Sequence, residues 1–436
     1  MKAVILAGGR GARLGALTDD TPKPLLELCG RPVLERQVEN LRAQGVTDVC
    51  LVTGYLGDKI RDHFGDGSRF GARIEYFQES TPLGTAGALH DLAPRLPERF
   101  LLVYGDLVFD LDLGRLARFH SAHGGAATAV VHPNDHPHDS DLVVVDGAQR
   151  IVGILPRTGR AAGLYANRAL AGMFVLERDL LRRVAAGRPQ SLEGDVVAPA
   201  IAEDGVYAYR TAEYVRDMGT PERSAAVRAA IERGVVARRN RSRRQRAVFL
   251  DRDGTLNEHV EFVTAPDQLR LYDAAYDALR MLNGSDWLSI VVTNQPVVAR
   301  GMCAMEDVDA IHGKLETELG RHGAYVDDLY WCPHHPDRGY PGENAEYKVT
   351  CACRKPSTGM IDRAAADHNI DVRASYLVGD TTRDVRTGLN AGMTTILVRT
   401  GLAGTDGQFD STPDLVCDDV SAAVRTILAA EMGVSR

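Results

Sequence analysis

Short apolar runs that end in polar, glycine-bearing loops set the rhythm of this chain. Ala3–Ala7, Val49–Thr53, Arg73–Phe77 and Leu101–Tyr104 read as strands, with helix-like segments near Val33–Gln44 and Asp58–Phe64 between them. Apolar strands alternating with helices predict a doubly wound α/β domain with a parallel sheet. From 140 to 220 the pattern loosens. Leu142–Val145, Ala171–Leu176 and Val206–Arg210 are short strands between turns, and they predict an extension covering the mouth of the first sheet. Pro221–Ala237 reads as an alanine-rich helix. The run Arg238–Arg246 that follows looks too polar to bury and is the predicted linker. A second α/β rhythm then begins, with strands Ala247–Leu250, Leu288–Thr293, Ser375–Val378 and Thr394–Val398 and helices near Ala274–Leu282 and Met305–His322. The expected division is therefore one domain over 1–222, a helix and basic linker over 223–246, and a second doubly wound domain over 247–436.

Composition supports that division. A chain of 436 residues suits two or three domains. Its hydrophobic fraction of 44% and charged fraction of 25% are those of a soluble globular protein. The net charge of −8 argues against a nucleic-acid or membrane partner. The arginine run has no interleaved aromatics and reads as a solvated connector. No apolar stretch approaches the roughly 20 residues of a membrane span, and Met1 runs into the first strand without a signal peptide, so the expected location is the cytoplasm. Seven cysteines are an odd number, and three of them gather with a histidine between 332 and 353. That favours a metal site in a reducing compartment over a disulfide framework. Only 6 of the 51 basic residues are lysine, so Lys23 and Lys355 stand out inside polar motifs as flexible point-charge donors.

The first strand opens into Gly8-Gly9-Arg10-Gly11-Ala12-Arg13, whose backbone N–H groups offer an anion cradle that Arg13 reinforces. Lys23 follows between Pro22 and Pro24, which stiffen the backbone around a cation. Asp106 comes just after the apolar strand Leu101–Tyr104. On Leu6–Leu14, Pro22–Leu26, Leu83–Gly87, Gly105-Asp106 and Asp217–Pro221, the first 220 residues resemble the sugar-1-phosphate nucleotidylyltransferases. The resemblance implies that Leu6, Ala7, Gly8, Gly9, Gly11 and Arg13 hold a nucleoside triphosphate while Lys23 neutralises phosphate charge. It implies too that Gly84, Thr85 and Gly87 pack near the base and that Asp106 and Asp217 bind Mg²⁺. The chemistry agrees, because a sugar phosphate is already a nucleophile and needs positioning and charge neutralisation rather than a strong base. Two departures stand out. Ala12 replaces a frequent hydroxyl residue, and Ile154-Leu155-Pro156-Arg157 falls where many members carry Glu-Lys-Pro. Arg157 is the substitute on the sugar-phosphate side, and Glu193 is the candidate ligand of a sugar hydroxyl.

In the second half, Asp251 and Asp253 leave a strand end two residues apart, so both can face one metal-bearing site. The acidic spacing of a calcium loop is not continued. Thr293-Asn294-Gln295, Arg354-Lys355-Pro356 and Gly379-Asp380 each sit at a predicted strand end or in a loop able to reach one. Cys332-Pro333-His334 with Cys351-Ala352-Cys353 offers three thiolates and an imidazole for a tetrahedral structural Zn²⁺, with His335 as the other candidate imidazole. Residues 247 to about 430 resemble the haloacid-dehalogenase superfamily of phosphatases. The resemblance makes Asp251 the nucleophile, Asp253 the general acid/base, and Thr293 and Lys355 the phosphoryl holders. It also implies Mg²⁺ on Asp380, Asp251 and the Asp253 carbonyl, with Asp384 in support. The zinc loop narrows the likeness to the heptose-bisphosphate and histidinol-phosphate phosphatases, whose pattern selects His334. The heptose branch is the more similar, with Arg300, Arg354 and Asn294 as substrate contacts, although Pro296-Val297 replaces a frequent Ser-Gly.

Together the two resemblances imply a fused enzyme of nucleotide-activated heptose synthesis. One domain would remove the 7-phosphate of D-glycero-D-manno-heptose 1,7-bisphosphate. The other would join the sugar 1-phosphate to a nucleotide, from GTP, releasing pyrophosphate. The alternative is a transferase for another sugar 1-phosphate fused to a phosphatase of different specificity, histidinol phosphate included. Outside enzymology, the second half could be a zinc-stabilised assembly or regulatory module. Guanine is inferred from the pairing, since no residue reads the base decisively, and oligomeric state stays open.

Overall fold

The protein is described by a computed structural model over residues 1–158 and 163–434. It separates into two compact units. The first comprises Met1–His132, Asp141–Pro156 and Arg168–Asn240; the second comprises Pro133–Ser140, Arg157–Asn167 and the chain from Arg241 onward.

The first unit is built on a nine-stranded mixed sheet. Strands β1 (Lys2–Leu6), β2 (Asp48–Thr53), β3 (Arg73–Gln78) and β4 (Arg99–Tyr104) run parallel in the order β4-β1-β2-β3. Ala3, Val4 and Ile5 are fully buried on alternating faces, which is why this strand reads as a continuous apolar run. Beyond β4 come β5 (Leu107–Asp110), β6 (Ala127–His132), β7 (Leu142–Val145), β8 (Ile151–Leu155), β9 (Ala169–Glu177) and β10 (Val206–Arg210). Strand β9 pairs antiparallel with β4 and β6, β10 pairs parallel with β6, and β7 and β8 complete the edge. Segment 140–220 therefore widens the first sheet rather than capping its mouth. The cause is visible in β9, where Met173, Phe174, Val175 and Leu176 are all fully buried and need cover on both faces. A separate ribbon pairs β11 (Tyr214–Asp217) antiparallel with β5, setting Asp217 opposite Leu107 and so beside Asp106.

The expected helix 221–237 is broken. Helix α1 (Pro221–Glu232) starts at a Thr220 cap and stops before Gly234, whose φ of 71° leaves the helical region; α2 (Val235–Arg238) resumes it. The basic run is only partly solvated, since Arg238, Ser242, Arg243 and Arg244 are exposed while the middle of the run is not. Arg239, Asn240 and Arg241 are buried. Asn240 Nδ2 donates to Asp110 Oδ1 at 2.6 Å, Arg241 Nη2 meets His368 Nδ1 at 3.1 Å, and Asn369 Nδ2 donates to the Arg241 and Arg243 carbonyls at 2.9 Å. Polar heads are buried because each finds a partner.

The second unit carries six parallel strands: β12 (Arg246–Leu250), β13 (Trp287–Asn294), β14 (Asp328–Cys332), β15 (Tyr376–Gly379), β16 (Thr394–Val398) and β17 (Leu415–Cys417). Their order is β14-β13-β12-β15-β16-β17. Helices α3 (Asp273–Asn283) and α4 (Met305–Arg321) contribute Leu279, Ile311 and Leu315 to a core with Val248, Leu250, Val291 and Val378. Successive strands leave β12 in opposite directions, so a crevice opens at its carboxyl end, where Asp251 stands. Tyr165 N–H donates to Thr317 Oγ1 on α4 at 2.9 Å. Among the described residues no helix is long and apolar enough to cross a membrane.

The six arginines between 238 and 246 would make a solvated linker an easy tryptic target. The native protein is expected to resist cleavage there under conditions that cut the unfolded chain, as read by mass spectrometry of the fragments. Early appearance of fragments ending within 238–246 would restore the solvated connector.

Candidate active sites

In the first unit the loop after β1 gathers the expected residues. A Cβ added to Gly11 would stand 3.1 Å from Lys23 Cβ, so the glycine loop and the Lys23 side chain pack directly together. Lys23 is buried and forms an ion pair with Asp106. The Gly105 N–H donates to Leu6 O at 3.0 Å, which brings the Asp106 turn against the end of β1. Met218 N–H donates to Asp106 O at 3.1 Å, so the two candidate metal carboxylates lie on neighbouring backbone. Asp217 is held by Arg223 Nη1 at 3.0 and 3.1 Å and by Gly219 N–H at 2.7 Å. The Arg13 guanidinium is beside it, 3.0 Å from where a Gly219 Cβ would be. Two adjacent carboxylates with loop N–H groups suit Mg²⁺, which binds through one or two carboxylates plus substrate phosphates.

The turn at Gly84 is fixed by the chain that passes beneath it. Gly84 has a φ of +75° and a Cβ there would fall 2.3 Å from Gln190 O, so only glycine fits. Thr85 Oγ1 accepts from Leu192 N–H at 2.8 Å and Gly87 N–H donates to Leu83 O at 3.1 Å, while a Gly87 Cβ would meet Arg188 O at 2.9 Å. Glu193 is brought to this region, where Tyr104 Oη donates to it at 2.5 Å. Burial, and then the Glu193 charge, hold the Tyr104 phenol well above its ordinary pKa. Arg157 is exposed and belongs to the second unit.

The second unit assembles a denser cluster. Oxygens of Asp251, Asp380 and Asp384 all lie within 4.8 Å of one another, and all three residues are buried. Lys355 Nζ bridges Asp251 Oδ1 at 2.8 Å and Asp384 Oδ1 at 2.6 Å. Burial works against the Lys355 ammonium, but the two carboxylates outweigh it and hold its pKa above the ordinary lysine value. Burial and then the Asp384 charge push Asp251 up to about 6. Burial, Asp251 and Asp384 push Asp380 up to about 8. Asp380 sits between Gly254 (φ +85°) and Gly401 (φ +57°), where a Cβ would fall 2.2 and 2.1 Å from its Oδ2. Its Oδ1 is buried without a hydrogen-bond partner. An orphaned oxygen beside two further carboxylates fits a hard divalent cation.

Asp253 is anchored differently. Arg252, fully buried, reaches its Oδ2 at 2.8 Å, Asn257 its Oδ1 at 3.0 Å and Gln295 its Oδ2 at 2.8 Å. Burial opposes the charge, but Arg252, Asn257 and Gln295 hold the carboxyl below its ordinary pKa. Thr293 is buried at the end of β13, its Oγ1 accepting from Gln295 at 2.9 Å. Asn294 spends both amide groups on the Lys355 backbone, at 3.0 and 3.1 Å, so here it positions the lysine. Arg252, Asn257 and Gln295 are not legible in the sequence as Asp253 partners, because their role depends on contacts through space, although Arg252 and Gln295 lie inside the Asp251–Thr255 and Thr293–Gln295 motifs.

Cys332, His334, Cys351 and Cys353 converge. Their neighbouring ligand atoms are 3.1–3.6 Å apart, near the roughly 3.8 Å edge of a tetrahedron of Zn–S bonds. His334 Nδ1 faces Cys353 Sγ at 3.3 Å, whereas His335 Nδ1 accepts from Asp337 N–H. Beside the cluster, Arg354 Nη1 donates to His334 O at 3.2 Å. Arg300 lies between the Phe262 and Tyr340 rings, 4.6 and 4.5 Å from their centroids, and its Nε is buried without a partner. Burial and then the Arg354 and Arg300 charges press His335 down to about 4.

Residues 2–233 match the family profile of the nucleotidyl transferases, and residues 352–423 match the HAD-hydrolase-like profile. Mannose-1-phosphate guanylyltransferase of Mycobacterium tuberculosis is 36% identical over 237 residues, which is 53% of this chain and 65% of that protein. The chain thus spans less than two thirds of that relative's length. Among solved structures, HddC of Yersinia pseudotuberculosis complexed with GMP-PN is 25% identical, covering 51% of this chain and 96% of that one, at a TM-score of 0.45. D,D-heptose 1,7-bisphosphate phosphatase of B. bronchiseptica, complexed with magnesium and phosphate, is 32% identical, covering 43% and 99%, at a TM-score of 0.37.

The raised carboxyls of the second unit give a signed expectation. Because the folded state holds these protons more tightly than the unfolded chain, the stability they contribute in metal-free protein is present at low pH. It is lost as pH rises, through about 6 for Asp251 and about 8 for Asp380. A divalent cation relieves that loss and competes with the protons. Mg²⁺ should therefore raise the melting temperature more at about pH 8.5 than at about pH 5. Equal shifts at the two pH values, in scanning fluorimetry, would contradict the assignment.

Proposed function

Since the chain belongs to the nucleotidyl transferase family and carries a HAD-like domain behind it, we propose a bifunctional enzyme that makes a nucleotide-activated heptose. The transferase would occupy 1–222 and the phosphatase 247–436, joined by 223–246. The observation that carries the reading is Lys355, which bridges two buried carboxylates two residues after the last thiol of the four-ligand cluster.

In the phosphatase, Asp251 would attack the 7-phosphate of the heptose 1,7-bisphosphate, forming an aspartyl-phosphate. Lys355 and Thr293 hold the transferring phosphoryl group. Asp253 would protonate the leaving hydroxyl and then activate the water that frees Asp251. Its acid role requires it to give up the Arg252 contact that keeps it ionised. Asp251, Asp380 and the Asp253 carbonyl would hold Mg²⁺, which when bound would supply charge neutralisation at the phosphoryl oxygens. Arg300, whose Nε has no hydrogen-bond partner, suits with Arg354 the phosphate that is retained. Zn²⁺ on Cys332, His334, Cys351 and Cys353 would be structural, and thiolates so exposed to oxidation favour a reducing cytoplasm.

In the transferase, the sugar 1-phosphate would attack the α-phosphorus of GTP and pyrophosphate would leave. The glycine loop, Arg13 and Lys23 neutralise the phosphates, and Asp106 and Asp217 would hold Mg²⁺. GTP is supported by the guanylyltransferase named at 36% identity. Glu193, steadied by Tyr104, suits a sugar hydroxyl.

Incubation with the heptose bisphosphate, GTP and Mg²⁺ should release phosphate first and a GDP-sugar after it. Asp251→Asn should stop phosphate release while GDP-sugar still forms from supplied heptose 1-phosphate. Lys23→Ala should do the reverse, with transfer slowed roughly 100-fold or more. Phosphate release without any GDP-sugar would sink the combined pathway.

A further inference from the structure

Arg252 stands between the two aspartates of the second site, and its side chain is fully buried. Nε and Nη2 form a fork on the Asp253 carboxylate, with contacts of 3.1, 2.9 and 2.8 Å. The remaining nitrogen, Nη1, lies 3.2 Å from Nε2 of His312, on α4. His312 is itself buried, and the Trp331 ring packs edge-on to it with centroids 5.6 Å apart. Asp253, Arg252 and His312 thus form one hydrogen-bonded line running from the carboxylate cluster into α4. The Arg252 carbonyl accepts from Leu256 N–H at 2.9 Å, so the backbone of the turn is already fixed and the side chain is what remains to be aimed.

A guanidinium carries donors only, so His312 Nε2 accepts, and the imidazole is neutral with its proton on Nδ1. Burial and then the Arg252 charge hold His312 well below its ordinary pKa, in keeping with that state. The contact matters because the Asp253 carboxyl must leave Arg252 to serve a leaving oxygen. A guanidinium tied only to Asp253 would follow the carboxyl and compete with the substrate for it. One tied also to His312 keeps a partner when Asp253 turns away, and is not stranded as a buried charge with none.

We propose that His312 is a positioning residue of the phosphatase, which acts through Arg252 to aim the Asp253 carboxyl at the leaving oxygen. It works through another side chain rather than on the substrate. The inference rests on the phosphatase reading of the second unit and adds a residue that no motif of the chain contains. Its effect falls on the step in which Asp253 gives a proton to the departing group. A sugar alkoxide needs that proton to leave, whereas p-nitrophenolate is a stabilised anion and leaves without it. The ratio kcat/KM covers events up to phosphoryl transfer to Asp251, before Asp253 activates water, so it isolates the acid role.

The test compares kcat/KM for the heptose bisphosphate and for p-nitrophenyl phosphate, with Mg²⁺, in the full-length protein and its His312 variants. His312→Leu and His312→Asn both remove the acceptor that Nε2 provides, the second because its side chain is too short to reach Arg252. His312→Gln keeps an acceptor at about that reach. His312→Leu should lower kcat/KM for the bisphosphate by about 10-fold or more and for p-nitrophenyl phosphate by no more than about 2-fold. His312→Asn should show the same split, and it carries the test alone should His312→Leu fail to fold. His312→Gln should return most of the lost activity toward the bisphosphate. Equal losses with both esters would assign His312 to the support of α4 and overturn the proposal. A His312→Gln protein as selectively impaired as His312→Asn would overturn it as well. Hydrolysis of neither ester by the unmodified protein would remove the phosphatase reading and this inference with it.

Discussion

Lys355 resolves a conflict that the second unit otherwise could not hold. Three carboxylates gathered within 4.8 Å and shielded from water repel one another by about 4 kcal/mol per pair at 4 Å and an effective dielectric of about 20. One ammonium touching two of them answers part of that repulsion. The rest shows as raised carboxyl pKa values and an orphaned Asp380 oxygen. The surrounding structure exists largely to keep this balance in register. Asn294 clamps the Lys355 backbone, Thr381 caps the helix that starts at Thr382 and turns Asp384 inward, and Gly254 and Gly401 leave room around Asp380.

The first unit meets the same problem with pairs instead of a cluster. Asp106 has its lysine and Asp217 its arginine, and the Arg13 guanidinium lies beside Gly219. A site organised this way receives a polyanion and a metal together, because each carboxylate must exchange its cation partner for the metal while the phosphates take up the displaced positive charge. The two sites thus suit different tasks. Under the proposed function, one would keep a nucleophile poised in a dry pocket, and the other would assemble charge around two incoming substrates that react with each other.

How much of this the sequence disclosed depends on whether a role is local. The strands were legible because the centres of β1, β4, β12 and β13 are buried on both faces and so read as nearly continuous apolar runs. Asp251, Lys355 and Asp380 were legible because strand ends and short motifs place them. The membership of β9 in the first sheet was not, since its partners β4 and β6 are chosen by pairing across distant sequence. The arginine run misled for a similar reason: Asn369, His368 and Asp110 supply its partners from elsewhere. Arg252 and Gln295 stayed silent as partners because a donor becomes special only through what approaches it. His334 and His335 are equivalent in sequence and separated only by which imidazole turns toward Cys353.

The thiol cluster gains its meaning from where its last ligand falls. Between Cys332 and Cys351 the chain makes little regular structure beyond a short turn at Ala345–Tyr347, and connections longer than roughly 12–15 residues are seldom ordered by their own contacts. Some restraint comes from Gly342, whose carbonyl crowds Gly301, and from Lys348, which donates to Asp337 O. A metal held by the four ligands would pin both ends of this loop, and Cys353 is two residues from Lys355. A disturbance at the thiols therefore travels two residues to the ammonium that balances Asp251 and Asp384. Its first consequence is electrostatic, in the charge balance of the pocket, while β12 through β17 retain the buried apolar contacts that hold the sheet.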